Sequence, residues 1–304
     1  MWQEYFIPSS VEEALDILCS RAGQARVIAG GTDLVLQVQR GECAFEAAVD
    51  ITRIPGLDKI ALEEGPEAVR PAHDGGERVL LGATVTHAQA ASSPLIKERA
   101  GVLAEACRRV GSPQIRNVGT VVGNVVNARP AADAAVALFA LGAEAEITSQ
   151  TGSYWTPISK IYEGVGVCRV DSCSEIVTAL RFPALSTRHG WGFERLTQRR
   201  AVILPILVVA AVVALEDGLC LSAHIAIGPV APTPFRASQA EEVLTGKSLE
   251  DSLIRRAAQA AAEASNPRDS ILRGSREYRI EMVEVLTRRA LSRAVEMARQ
   301  ADHP

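Results

Sequence analysis

Two glycine turns carry the chemistry that this chain offers most plainly. The first is Ile28-Ala29-Gly30-Gly31-Thr32-Asp33, and the second is Gly119-Thr120-Val121-Val122-Gly123-Asn124. Glycine has no Cβ and tolerates positive φ, so consecutive backbone N–H groups can converge on one point. Such a nest binds phosphate oxygens without help from lysine or arginine. Thr32, Thr120 and Asn124 add side-chain donors, and two nests suit the two halves of a pyrophosphate. Taken singly, each turn is more often a tight turn and nothing else. Neither matches GxGxxG after a first strand or GxxxxGK[ST], so a Rossmann nicotinamide site and an ATP P-loop are not supported.

Other chemistries find little footing. The five histidines are isolated, with no HxxxH or HExxH, which argues against a zinc hydrolase. The six cysteines are scattered without a CxxC pair. Cys168 and Cys173 are close together but lack a second pair, and all six read as core or inert thiols. No metal ligand set is expected, and no catalytic acid, base or nucleophile stands out.

The elements that must position the turns can be read from the pattern. Ser10 followed by Glu13 predicts a capping box, with Val11, Ala14, Leu15 and Leu18 as the apolar stripe of a first helix. Arg26–Ala29 reads as a strand running into the first turn, and Asp33 as a cap for a helix over 34–40. Ala47–Ile51 is a further strand, so the opening residues form a small α/β unit. Strands over 58–62 and 78–82 flank a polar excursion. Thr86 caps a short helix, and a longer helix runs from Pro94 to about Val110. The stretch 112–133 is polar and dotted with glycine, and a helix follows over 131–141. A strand over 143–148 then enters a hairpin-type turn.

From about Ser174 the pattern changes to successive strands over 175–182, 192–196, 206–215 and 219–227. Glu216-Asp217-Gly218 is a hairpin turn, and helices over 235–244, 249–264 and 275–301 complete the chain. Strands followed by helices predict a separate α+β domain. A chain of 304 residues holds about two domains.

Segment 27–36, VIAGGTDLVL, and segment 110–133, VGSPQIRNVGTVVGNVVNARPAAD, resemble paired signatures of one flavoprotein family. It is the FAD-binding medium subunit of the molybdenum hydroxylases, of xanthine dehydrogenase and carbon monoxide dehydrogenase type. GFERLTQRR at 192–200, IGPVAPTPFRASQAE at 227–241 and SREYRIEMVEVLTRRAL at 275–291 resemble its second domain. GPVAPTP and NARPAAD are most similar to bacterial xanthine dehydrogenase FAD subunits.

The resemblance implies an α+β fold. A two-subdomain FAD-binding domain of the vanillyl-alcohol-oxidase type would occupy 1–173, with subdomains about 1–55 and 56–173. A smaller α+β C-terminal domain of antiparallel strands plus helices would occupy 174–304. It implies non-covalent FAD held by Val27, Ile28, Ala29, Gly30, Gly31, Thr32, Asp33 and Leu34 from the first signature. Thr120, Val121, Val122, Gly123 and Asn124 would serve from the second. Asp133 matches an acidic residue that contacts the cofactor, and Val110 an apolar position near the flavin. Val177 matches a backbone contact from the second domain, and Arg195 stands where many relatives place a lysine beside the isoalloxazine.

The function implied is electron transfer: from 2Fe–2S clusters in a small partner chain, through FAD, to NAD+ or another acceptor. A large molybdopterin subunit would hydroxylate a purine, aldehyde or related substrate, in a heterotrimer that can dimerise. A stand-alone FAD-dependent oxidoreductase with its own substrate pocket is the rival reading, and a scaffold that has lost FAD is a third.

Two departures from the family pattern matter. Relatives have two glycines before the asparagine, where this chain has Val122-Gly123, and β-branched residues resist positive φ. Relatives carry an acidic residue after the paired arginines, where this chain has Ala201-Val202-Ile203-Leu204, so no base is expected there. No cysteine-rich insertion for an iron cluster is visible between the signatures.

Composition closes off further classes. A net charge of −4 and 4% aromatic residues give neither a basic footprint nor stacking platforms for nucleic acid. The longest apolar run, Ala201–Leu215, is interrupted by Pro205 and falls short of the roughly 20 residues of a membrane span, reading instead as a buried strand or core helix. The N-terminus shows no secretory pattern, so a cytoplasmic protein is expected.

Overall fold

A computed structural model of the chain describes residues 2–64, 76–199 and 204–302. The polar excursion at 65–75 and Arg200–Ile203, including most of the apolar stretch where a base is absent, lie outside the described residues.

The first unit comprises β1 (Glu4–Phe6), α1 (Val11–Ser20), β2 (Ala25–Ile28), α2 (Leu34–Gln39) and β3 (Ala47–Asp50). Its sheet is parallel, in the order β1-β3-β2. Helix α1 buries Ala14, Leu15 and Leu18. Ser10 accepts the Glu13 N–H, as a cap should. The Glu13 carboxylate reaches back to the N–H and hydroxyl of Ser9, one residue earlier than the expected box.

The second unit opens with β4 (Ile60–Glu64) and β5 (Glu77–Gly82). Six helices follow: α3 (His87–Ser92), α4 (Pro94–Arg99), α5 (Gly101–Arg109), α6 (Pro113–Val118), α7 (Val121–Val126) and α8 (Asp133–Ala140). It ends with β6 (Glu144–Ser149), β7 (Gly152–Pro157), β8 (Tyr162–Gly164), β9 (Val167–Cys168) and β10 (Ile176–Pro183). The expected single helix from Pro94 breaks at Ala100, whose φ of −157° is not helical. Helix α5 restarts at Gly101, where an added Cβ would stand 2.5 Å from the Trp191 indole nitrogen. The expected glycine-dotted loop is instead two helices, capped by Ser112 and Thr120. Every residue of α8 is buried, as in a helix packed on all sides.

The five-stranded sheet runs β4-β5-β10-β6-β7, all antiparallel. This corrects one expectation. A change of domain at residue 174 would give β10 to the C-terminal unit, yet β10 pairs with β5 on one side and β6 on the other.

The last unit holds β11 (His189–Leu196), β12 (Leu207–Glu216), β13 (Leu219–Gly228) and β14 (Phe235–Arg236) in that spatial order. It is followed by α9 (Ser238–Leu244), α10 (Asp251–Glu263) and α11 (Arg276–Asp302). From Leu207 onward the long apolar run forms β12, buried on both faces. Val208, Ala210 and Val212 join the core of the first two units, while Leu207, Val209, Ala211 and Val213 join that of α10 and α11. The alternation has the two-residue period of a strand. Asp217 and Gly218, both at positive φ, make the hairpin turn.

Helix α11 lies directly on β11. A Cβ at Gly192 would fall on the Ala290 carbonyl group, 2.8 Å from its carbon. Both partners are backbone of regular elements, so neither yields easily. Gly192→Val is therefore expected to destabilise the chain by about 3 kcal/mol or more, the upper range for overpacking. Urea unfolding checks this, and a midpoint within error of wild type would contradict the packing described.

Candidate cofactor site

The two glycine turns meet. Strand β2 delivers the first turn against the end of α6. A Cβ at Gly30 would land on the Val118 carbonyl group, 2.6 Å from its carbon and 2.9 Å from Gly119 Cα. Only a residue without a side chain permits that approach. Gly31 has φ +65°, the left-handed region. The second turn is pinned from behind: His87 N–H donates to Gly119 O at 3.0 Å, and Val121 N–H to Val85 O at 2.9 Å. Thr120 Oγ1 accepts the Gly123 N–H at 2.9 Å, and Asn124 Oδ1 accepts the Ala135 N–H at 3.2 Å.

A third wall comes from 166–177. Val27 N–H donates to Ser172 O, and Arg26 to Ser172 Oγ, both at 3.1 Å. The three segments enclose a cavity of about 430 Å³. Residues 27–34, Val110, Thr120, Val122, Gly123, Asn124 and Val177 all line it. Among the described residues, the backbone N–H groups of Gly30, Gly31, Thr32, Asp33, Thr120 and Val122 donate to no protein acceptor. Gathered in one concave wall, such donors suit a ligand with acceptor oxygens. The charged residues among those lining it are Arg26, Asp33 and Glu175, so the wall offers amides rather than a cationic cluster.

Val122 sits in helical backbone within α7, which removes the expected conflict between a β-branched residue and positive φ. Its side chain is buried and faces the cavity wall. Asp33 does not cap α2 with its side chain, contrary to expectation, because its own backbone is already near helical values.

Three expected residues lie outside the lining. Val121 is fully buried in the core. Asp133 and Arg195 pair with each other, Nε to Oδ1 at 2.7 Å, with side chains 6% and 10% exposed. They tie α8 to β11. Burial pushes the Asp133 carboxyl up to about 6, against the pull of Arg195 and then Arg109.

The lining also includes residues that sequence reading did not assign to the site: Arg26, Gln37, His87, Asn127, Cys168, which was read as an inert or core thiol, and Ser172. Gln37 Nε2 donates to Asn127 Oδ1 at 3.4 Å, linking α2 to α7. His87 is 2% exposed, and its Nδ1 has no partner. Burial, reinforced by the Arg116 guanidinium, pushes it down to about 4. The folded state therefore favours neutral His87. Its stabilising effect is complete above the unfolded pKa near 6.5 and is lost as pH falls toward 4. His87→Leu is expected to remove about 3 kcal/mol of acid sensitivity across that window. Unfolding midpoints at pH 7 and pH 4.5 test this, and an unchanged pH dependence would contradict it.

Among the described residues no group of three or more His, Cys, Asp and Glu could hold a metal, and no helix is long and apolar enough to cross a membrane.

Comparison with known proteins decides the family. A profile described as the FAD binding domain in molybdopterin dehydrogenase matches residues 2–185, and one for the CO dehydrogenase flavoprotein C-terminal domain matches 194–294. The chain belongs to the FAD-binding medium subunits of the molybdenum hydroxylases. It is 31% identical over 291 residues to the carbon monoxide dehydrogenase medium chain of Afipia carboxidovorans, covering 96% of each. It is 28% identical over 295 residues to a putative xanthine dehydrogenase FAD-binding subunit of Escherichia coli, covering 97% and 96%.

The fold agrees. A structure of carbon monoxide dehydrogenase from Hydrogenophaga pseudoflava, lacking the Mo-pyranopterin moiety, aligns with a TM-score of 0.88 at 29% identity over 98% of both chains. These identities do not rank the xanthine dehydrogenase type above the carbon monoxide dehydrogenase type. The chain is thus an FAD-dependent oxidoreductase subunit with the two-domain fold of this family.

Proposed function

We propose that the cavity between the two turns holds FAD non-covalently and that the chain carries electrons within a larger complex. The observation behind this is the row of unpartnered N–H groups on two glycine turns that close approach at Gly30 brings together. The amides of residues 30–33, with those of Thr120 and Val122, would take the pyrophosphate oxygens, and the hydroxyls of Thr32 and Thr120 would add donors. Val110, Val122 and Val177 supply apolar wall. Asp133 and Arg195 act one layer behind, fixing α8 and the C-terminal sheet against the second turn. Bound FAD supplies stable one- and two-electron levels, and the protein supplies binding, position and electrostatics.

Electrons would come from 2Fe–2S clusters in a small partner chain and leave to NAD+ or another acceptor. A large molybdopterin partner would hydroxylate the purine, aldehyde or related substrate. That its relatives are a medium chain and an FAD-binding subunit supports an assembly of several chains. The six free cysteines suit a reducing, cytoplasmic setting. We place the division between the FAD domain and the C-terminal domain after β10.

The test is flavin content of the purified complex before and after acid precipitation. One FAD per chain, released into the supernatant, is expected. Flavin in the protein pellet, or none at all, would overturn the proposal.

A further inference from the structure

We propose that His87 is a further cofactor-holding residue, whose imidazole Nε2–H donates a hydrogen bond to the pyrophosphate of the dinucleotide between the two turns. This rests on reading the cavity as an FAD site, and it adds a side-chain donor that neither glycine turn contains.

The backbone fixes the ring where the two turns meet. Thr86 Oγ1 accepts the Gln89 N–H at 3.2 Å, and Gln89 Oε1 accepts the Thr86 N–H at 2.8 Å, which closes a capping box. His87 follows, and its own N–H donates to Gly119 O at 3.0 Å. Its side chain lines the cavity, although only 2% of the residue is exposed. A Cβ at Gly119 would stand 3.4 Å from Thr32 Oγ1 and 3.7 Å from His87 Cδ2. The imidazole and the hydroxyl of the first turn thus flank the glycine of the second, beside the unpartnered N–H groups of Thr32 and Thr120.

The ring itself decides which nitrogen acts. Nδ1 is sealed in the protein and has no partner. Nε2 is bonded to Cδ2, on the edge that faces the turns. It is not sealed, and among the described residues no group hydrogen-bonds it. Burial keeps the ring neutral, so one nitrogen carries a proton and the other a lone pair. A sealed N–H without an acceptor is rarer in proteins than an under-satisfied acceptor, which places the proton on Nε2. The cavity therefore presents a fixed N–H donor beside the row of amides, suited to an anionic oxygen. Arg116 does not replace it, since its Nη1 donates to Val110 O at 2.8 Å and Gly111 O at 3.3 Å. Of the charged residues that line the cavity, Arg26, Asp33 and Glu175, none bonds the ring.

The experiment titrates the full chain, freed of flavin, with FAD and with riboflavin, which lacks the pyrophosphate. His87→Gln sets an amide N–H near the place of Nε2, and His87→Asn near that of Nδ1, so the pair separates a hydrogen bond from packing. His87→Gln is expected to bind FAD within about 3-fold of wild type and His87→Asn about 10-fold or more weakly, the scale of one hydrogen bond to a charged group. Riboflavin affinity should be unchanged in both. Equal FAD affinity in all three chains, or His87→Gln as weak as His87→Asn, would overturn this proposal alone. Equal losses for FAD and riboflavin with a lowered urea midpoint would assign the ring a packing role and overturn it too. A wild-type chain that binds no FAD would overturn the cofactor reading and this proposal with it.

Discussion

Gly30→Ala is expected to leave the chain without bound flavin. The change adds one methyl group, but that group would land on the Val118 carbonyl, against backbone rather than a yielding side chain. The second turn cannot retreat cheaply. Val121 and His87 hydrogen-bond it to the segment behind, and Thr120 caps the helix that follows. The first turn must move instead, and its row of N–H groups loses its aim at a common point. Losing two amide–phosphate bonds at about 1.5–3 kcal/mol each corresponds to a Kd raised about 100-fold or more.

Gly31→Ala should cost less, since its φ of +65° is strained for alanine by about 1–2 kcal/mol but its Cβ would meet only the side chains of Ile28 and Val35 at 3.2 Å. Asp33→Asn should cost least, because that side chain makes no cap bond. Flavin-to-protein ratios of the three variants check the order. Wild-type flavin content in Gly30→Ala would contradict it.

Arg195→Met is expected to destabilise the chain strongly and in a pH-dependent way. It takes the guanidinium from an Asp133 side chain only 6% exposed. Breaking a buried pair costs about 3–5 kcal/mol when the remaining charge stays buried. A carboxylate can escape by taking a proton, and burial already holds Asp133 near 6, above its ordinary 3.8. A folded-state pKa above the unfolded one means that Asp133 stabilises the fold most at low pH, and that this contribution falls as pH rises through the folded value. Without Arg195 that window extends upward. The loss should therefore be largest at pH 8 and clearly smaller at pH 5, by urea unfolding at both. Equal losses would show that Asp133 does not titrate in this range.

Much of the site was legible in sequence because glycine and capping residues act locally. Gly30 and Gly31 marked the first turn, and Gly119 and Gly123 the second. The helices α6 and α7 went unread because six residues each give too little periodicity to form a stripe. Strand β10 was misplaced because its partners β5 and β6 are set by long-range pairing, while its neighbours in sequence resemble a run of consecutive strands. The Asp133–Arg195 pair spans 62 residues of sequence and leaves no local trace. His87, Arg26 and Ser172 reach the cavity only through the tertiary packing of three segments. Val122 looked like an obstacle because a glycine position was assumed to need positive φ, whereas helical backbone accepts valine.

The most direct test of the account is binding of FAD and of riboflavin to the chain after its flavin has been removed. Both ligands carry the isoalloxazine, but only FAD carries the pyrophosphate that the two turns are proposed to hold. FAD should bind once per chain, and riboflavin about 100-fold more weakly or worse, the scale of losing two charge-assisted hydrogen bonds. Equal affinity for the two, or no binding of FAD, would contradict the claim that these turns form a pyrophosphate site.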